Sequence, residues 1–248
     1  MSERRVCIVV PCYNEAARLD AAAFTEAISG AANLSFVLVN DGSTDETSPW
    51  LHALAARHPD RIEVIDQHEN TGKAGAVRHG MLRAFSTGAE MAGYWDADLA
   101  TPLDAVRDFI EVLETSDSVD IVLGARVAML GHEIERRAVR HYAGRVFATL
   151  ASATLGLHVY DTQCGAKLFR ANDRSRSLFE EPFGSRWVFD VELLARYLER
   201  GGLASGIREI PLKRWNDIPG SKVKPIDFFR SVVELGRIRR RYGRRKRG

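Results

Sequence analysis

Cysteine is scarce in this 248-residue chain. Cys7, Cys12 and Cys164 are odd in number and lack metal-ligand spacing, so a disulfide framework is excluded and a reduced, cytoplasmic protein is expected. No apolar run approaches the roughly 18 residues that suggest a membrane span. No secretory signal is expected, because Met1-Ser2-Glu3-Arg4-Arg5 leads straight into a short apolar stretch. Internal repeats are missing, and so is low-complexity sequence outside the C-terminal end. A large charge excess is missing too. Net charge is +2, and residues 237–248 hold eight Lys or Arg and no acid, which leaves the remainder at −6. The basic character belongs to the tail and not to the body, so nucleic acid is not an expected partner of the body. For the tail, an anionic membrane surface, RNA or plain solvation stay open.

Hydrophobic residues make up 45% of the chain and charged residues 27%, enough to core one large α/β domain. Residues 5–10, 34–39, 61–66, 91–95, 119–123 and 207–212 read as strands, the first a continuous apolar run suited to a buried parallel strand. Residues 161–170 turn into another. Helices are expected over 16–29, from about 45 to 57, over 74–85, 104–113 and 136–155, from 186 to about 201, and from Pro225 onward. Residues 136–155 combine an apolar stripe with Arg137, Arg140, His141 and Arg145 off it, which suits either a core-packed helix with a solvated face or an interfacial helix. The alternation predicts an α/β, doubly wound, mostly parallel, Rossmann-like sheet with helices on both faces. Residues 1–224 form the main domain and 225–248 an amphipathic helix with a basic tail.

Polar loops follow the strands, so they collect on one sheet edge, where ligands bind in open α/β sheets. The sharpest is Trp95-Asp96-Ala97-Asp98-Leu99-Ala100-Thr101-Pro102. Two carboxylates one residue apart repel each other unless a cation lies between them. Mg²⁺ or Mn²⁺ suits that place, shared with substrate phosphates. An Asp-rich turn capping the next helix is the plainer reading.

Three stretches, Val9-Val10-Pro11-Cys12-Tyr13-Asn14-Glu15, Asn40-Asp41-Gly42-Ser43-Thr44-Asp45 and Asp96-Ala97-Asp98, resemble the inverting glycosyltransferases of family 2, which have a GT-A fold. Asp98-Leu99-Ala100-Thr101-Pro102, Asp161-Thr162-Gln163-Cys164-Gly165, Arg186-Trp187-Val188-Phe189-Asp190-Val191-Glu192 and Pro219-Gly220-Ser221-Lys222 resemble the dolichyl-phosphate β-glucosyltransferases within that family. The resemblance covers nearly the whole chain. It implies transfer of glucose from UDP-glucose to a polyprenyl phosphate, peripherally on the cytosolic face of a membrane. Eukaryotic members carry an amino-terminal anchor, which is not seen here. Relatives that use GDP-mannose often have Gln where Ala100 stands. The alternative is another nucleotide sugar, such as GDP-mannose or UDP-GlcNAc, or a sugar hydroxyl acceptor.

By this resemblance Pro11, Tyr13, Asn14, Glu15, Asp41 and Gly42 line the nucleotide, with Asp41 accepting from the base. Lys73, just inside a helix start, suits phosphate. Asp98 is the expected metal ligand, with Asp96 on ribose or metal. Arg126, Arg140, Arg214 and Lys222 are the candidate cations for donor and acceptor phosphates. Asp190 and Glu192 read either as part of a binding cluster or as a solvated face. A phosphate acceptor is already anionic near neutral pH, so it needs charge screening and not a general base. Deleting residues 237–248 is expected to weaken liposome binding in a salt-sensitive way and to leave UDP-glucose binding intact, which vesicle sedimentation and calorimetry check.

Overall fold

A computed structural model describes residues 4–135, 138–216 and 225–243. In the first half, β1 (Val6–Cys12), α1 (Ala21–Gly30), β2 (Leu34–Asp41), α2 (Thr47–Arg57), β3 (Ile62–Gln67), α3 (Gly72–Ser86) and β4 (Met91–Tyr94) alternate strictly. Then come α4 (Val106–Thr115), β5 (Ile121–Ala125), β6 (Glu133–Glu135), α5 (Ala138–Leu155), β7 (Lys167–Arg170) and α6 (Asp173–Ser177). The chain continues with α7 (Phe189–Glu199), β8 (Ile207–Pro211), β9 (Arg214–Asn216) and α8 (Pro225–Tyr242).

Seven strands form one sheet in the order β3-β2-β1-β4-β7-β5-β8. All its pairings are parallel except those of β7, which runs antiparallel to β4 and β5. The period-2 alternation of β1 explains why both faces are covered. Cys7 and Val9 pack with α3, α7 and α8, while Val6, Ile8 and Val10 pack with Phe24 of α1 and Phe109 of α4 on the other side. The mostly parallel sheet with helices on both faces is therefore as expected.

Parallel strands deliver their carboxyl ends to one edge. The reversed β7 delivers its beginning there: Lys167 pairs with Tyr94 on one side and Leu123 on the other. The loop of residues 161–166 thus joins the same edge from the opposite direction.

One local expectation needs correcting. Helix α1 starts at Ala21 and not at 16, because Asp20 caps it by accepting from the Ala22 and Ala23 amides at 2.9 and 3.2 Å. Of the released residues, Ala16 donates its amide to Thr47 Oγ1 at 3.1 Å and Arg18 pairs with Glu15. A small parallel ribbon of β6 and β9 and the short α6 are additional. Among the described residues no helix is long and apolar enough to cross a membrane.

Helix α8 packs on α5 and α7. Leu235 and Ile238 are buried in the core, and the Tyr242 hydroxyl donates to Glu192 at 3.1 Å. A cut at residue 237 therefore removes core side chains along with charge, and a cut before residue 244 is the cleaner liposome test. Ile238→Ala alone is expected to cost about 2–4 kcal/mol of unfolding free energy, measured by urea denaturation.

Candidate active site

The loops after β1 and β2 are laced together. Asn14 takes a left-handed backbone (φ 51°), a conformation Asn tolerates better than most residues. Its amide donates to Ser43 Oγ at 3.1 Å, and its Oδ1 accepts from the Thr44 amide at 2.8 Å. The Glu15 amide donates to Thr47 Oγ1 at 2.8 Å, and its carboxylate pairs with Arg18. These bonds shape the polar loop expected after β1, and the Tyr13 ring is exposed at its rim.

Asp41, at the end of β2, is buried. It accepts from the Thr71 amide at 2.8 Å, the Thr71 hydroxyl at 2.9 Å and the Gly72 amide at 2.9 Å. Its carboxylate thereby fastens β2 to the start of α3. Gly42 follows at φ +67°, and a Cβ there would sit 2.9 Å from the Asn70 nitrogen, so only glycine fits.

The loop after β4 turns its alanines inward and its acids outward. Ala97 and Ala100 are buried while Asp96 and Asp98 are partly exposed. Trp95 Nε1 donates to the Thr101 carbonyl at 2.8 Å, and Leu99 adopts φ 50°. Asp96 Oδ1 meets Lys73 Nζ of α3 at 2.5 Å. Burial pushes the Asp96 carboxyl up, but the Lys73 charge and hydrogen bond, then Lys167 and Arg126, hold it below the usual range. Burial works against the Lys73 ammonium, and Asp96 followed by Asp190 outweighs it, so Lys73 stays charged. Gly165 is pressed on Asp96: a Cβ there would lie 1.9 Å from Oδ2. Among the described residues Asp98 accepts only from the Ala100 amide, at 3.1 Å. Burial, and then the Asp96 charge, raise its carboxyl.

Beneath them, buried Lys167 Nζ bridges Asp190 Oδ1 and the Cys164 carbonyl, each at 2.6 Å. The Tyr94 hydroxyl also donates to Asp190. Arg126 is bidentate on Asp161, at 2.6 and 2.8 Å, and stacks 5.4 Å from the Trp215 ring centroid. Glu192 pairs with buried Arg196 at 2.9 Å.

The edge therefore gathers Pro11, Tyr13, Asn14, Glu15, Asp41, Gly42, Lys73, Asp96, Asp98 and Arg126, as the strand order requires. Asp190 and Glu192 do not form a solvated face; both are buried and ion-paired. Arg214, on β9, pairs with Asp104. Lys222 lies outside the described residues, as does the Arg140 side chain. Sequence reasoning passed over Lys167 and Tyr94. The one signal for Lys167 is an ammonium in an otherwise apolar strand.

Asp96 and Asp98 fit a hard divalent ion in one respect: they are two oxygen donors, and Asp98 lacks an ion pair among the described residues. Among the described residues no group of three or more His, Cys, Asp or Glu gathers there. Such a donor set suits an ion shared with substrate phosphates, not one caged by protein alone.

The family model of glycosyl transferase family 2 matches residues 7–175. The chain is 34% identical over 251 residues to a dolichyl-phosphate beta-glucosyltransferase of Trichomonas vaginalis, covering 96% of this chain and 71% of that protein. It is 33% identical to the dolichyl-phosphate beta-glucosyltransferase of Homo sapiens, covering 96% and 76%. A solved structure of glucosyl-3-phosphoglycerate synthase from Mycobacterium tuberculosis superposes with a TM-score of 0.66 at 18% identity, over 99% of this chain and 83% of that one. A second structure of that enzyme, with Mn²⁺, UDP and glucosyl-3-phosphoglycerate, superposes with a TM-score of 0.61 at 20% identity, over 96% and 77%. These likenesses agree with the GT-A arrangement of the sheet.

Asp41→Ala strands three donors at the β2–α3 joint. It is expected to lower unfolding free energy by about 3 kcal/mol, read by urea denaturation, before any effect on a nucleotide is counted.

Proposed function

The chain belongs to glycosyl transferase family 2, and on that premise we propose that it transfers glucose from UDP-glucose to a polyprenyl phosphate at the cytosolic face of a membrane. An oxygen of the acceptor phosphate attacks the anomeric carbon from the side opposite UDP. The carbon–oxygen bond to the diphosphate breaks, and UDP leaves with the bonding electrons.

One observation carries the choice of acceptor. Asp161, Asp190 and Glu192, the carboxylates that would serve a hydroxyl acceptor as general base, are held by Arg126, Lys167 and Arg196. A base must be within reach of the proton and free to take it. An anionic acceptor carries no such requirement. The two curated relatives named above support the same class of acceptor and the glucosyl group.

Pro11, Tyr13, Asn14, Glu15 and Gly42 form the nucleotide wall, and Asp41 fixes that wall to α3. Lys73 holds Asp96 ionised beside the diphosphate. Arg126, held by Asp161 over the Trp215 ring, contributes fixed positive charge and not a closing clamp. Asp98 and Asp96 would hold Mg²⁺ or Mn²⁺, and the ion supplies neutralisation of the charge on the departing diphosphate. Membrane contact is supported by exposed Val146 and Leu150 on α5 and by Val232 and Val233 on α8. Exposed Arg237, Arg239, Arg240 and Arg241 continue along α8 and suit an anionic surface.

Asp98→Ala is expected to keep its fold and to lose metal-stimulated turnover by roughly 100-fold. The assay is UDP release from UDP-glucose with a short polyprenyl phosphate across a Mn²⁺ titration. Near-wild-type turnover in this variant would overturn the metal assignment.

A further inference from the structure

The guanidinium of Arg186 lies against the first residue of α3. A Cβ built on Gly72 would be 3.1 Å from its Nη2 and 3.2 Å from its Nε. Gly72 has φ +78°, so the position that favours glycine for its backbone also leaves room for the arginine. Arg186 is exposed, and it makes no hydrogen bond or ion pair among the described residues. That sets it apart from the other described cations of this edge. Lys73 is matched by Asp96, Lys167 by Asp190 and Arg126 by Asp161.

The backbone beneath Arg186 is tightly held. Ser185 is buried. Its amide donates to Glu192 Oε2 at 3.0 Å, its hydroxyl donates to Glu234 of α8, and its Oγ accepts from the Val188 amide at 2.9 Å. An unmatched charge is thus presented from a rigid clip beside Lys73. The helix start itself offers less than its position suggests, because the Thr71 and Gly72 amides are spent on Asp41. An anion here has to be met by side chains, and a planar guanidinium can meet two phosphate oxygens at once.

We propose that Arg186 is a phosphate-binding residue of this crevice, its guanidinium taking two oxygens of a substrate phosphate that lies across the start of α3. The proposal rests on the phosphate chemistry of the function proposed above. The phosphate belongs to the nucleotide diphosphate or to the lipid acceptor, and the experiment separates the two.

The full chain, as wild type, Arg186→Ala and Arg186→Lys, is titrated calorimetrically with UDP and with inorganic pyrophosphate. The KM for a short polyprenyl phosphate is measured in parallel. Arg186→Ala is expected to weaken UDP and pyrophosphate binding by about tenfold, with partial recovery in Arg186→Lys and an unchanged melting temperature, since Arg186 makes no bond among the described residues. A rise confined to the acceptor KM assigns the phosphate to the acceptor and keeps the proposal. Affinities and KM within about twofold of wild type in Arg186→Ala overturn it. Wild-type binding of pyrophosphate without UDP binding refutes the nucleotide reading while leaving Arg186 to be judged on pyrophosphate. No binding of either ligand and no acceptor saturation overturns both.

Discussion

Too many carboxylates meet at one sheet edge, and most of the site follows from that constraint. Asp41, Asp96, Asp98, Asp161 and Asp190 all arrive at strand ends or beside them. Like charges this close raise one another's proton affinity unless each is answered. Asp41 is answered by amide and hydroxyl donors, Asp96 by Lys73, Asp161 by Arg126, and Asp190 by Lys167 and Tyr94. Asp98 receives one backbone donor. Each answer also ties two elements together: β2 to α3, α3 to β4, β5 to the loop before β7, and β7 to α7. Neutralising the acids and building the crevice are thus one set of contacts.

The first half of the fold was legible because local and global patterns agree there. Four apolar strands each end in a polar turn, and their parallel order brings those turns together without further information. The miss at α1 has a local cause. The pattern predicts a helix from residue 16, yet the Ala16 amide is drawn to Asp45 and Thr47 on the neighbouring loop, as the Asn14 and Glu15 amides before it are to Ser43 and Thr47. A contact across 29 to 32 residues overrides the helical pattern. The reversal of β7 was not legible either, since Lys167-Leu168-Phe169-Arg170 carries no mark of direction. That reversal puts Lys167 under Asp190 and Gly165 against Asp96. The buried half of the site was therefore hidden, while Asp96, Asp98 and Lys73 were visible. Asp190 and Glu192 were ambiguous because acids in a first helical turn are usually solvated; their partners Lys167 and Arg196 decide the matter.

Ser185 joins the distal side of the protein to the crevice. Its two acidic partners, Glu192 and Glu234, lie on α7 and α8. Glu192 in turn holds Arg196, whose guanidinium donates to the carbonyls of Leu178, Glu181 and Pro182. Breaking one partner of a buried pair of this kind leaves a charge without water or counter-ion, which costs far more than the pair contributes over an apolar core. The α7–α8 seam is consequently a stiff support. The helix with exposed valines and arginines on one side carries, through Glu234, the loop that presents Arg186 on the other.

Formal charge in the crevice gives the last step. Five carboxylates stand against Lys73, Lys167, Arg126 and Arg186, which leaves one negative charge in excess. Two phosphate-bearing substrates entering such a space add to the same sign, and at low effective dielectric that repulsion rises steeply. A hydroxyl acceptor would bring no second anion and would call for a free base, yet the buried acids that might act as one are bound to cations. An anionic acceptor reverses both demands: it needs no base, and it needs positive charge that is not already matched. Among the described residues, Arg186 and the proposed divalent ion at Asp98 are the two places where this crevice can provide that charge. On the proposed reading, donor, ion and acceptor depend on one another for entry, so the excess acid at the sheet edge makes occupancy ordered and does not obstruct it.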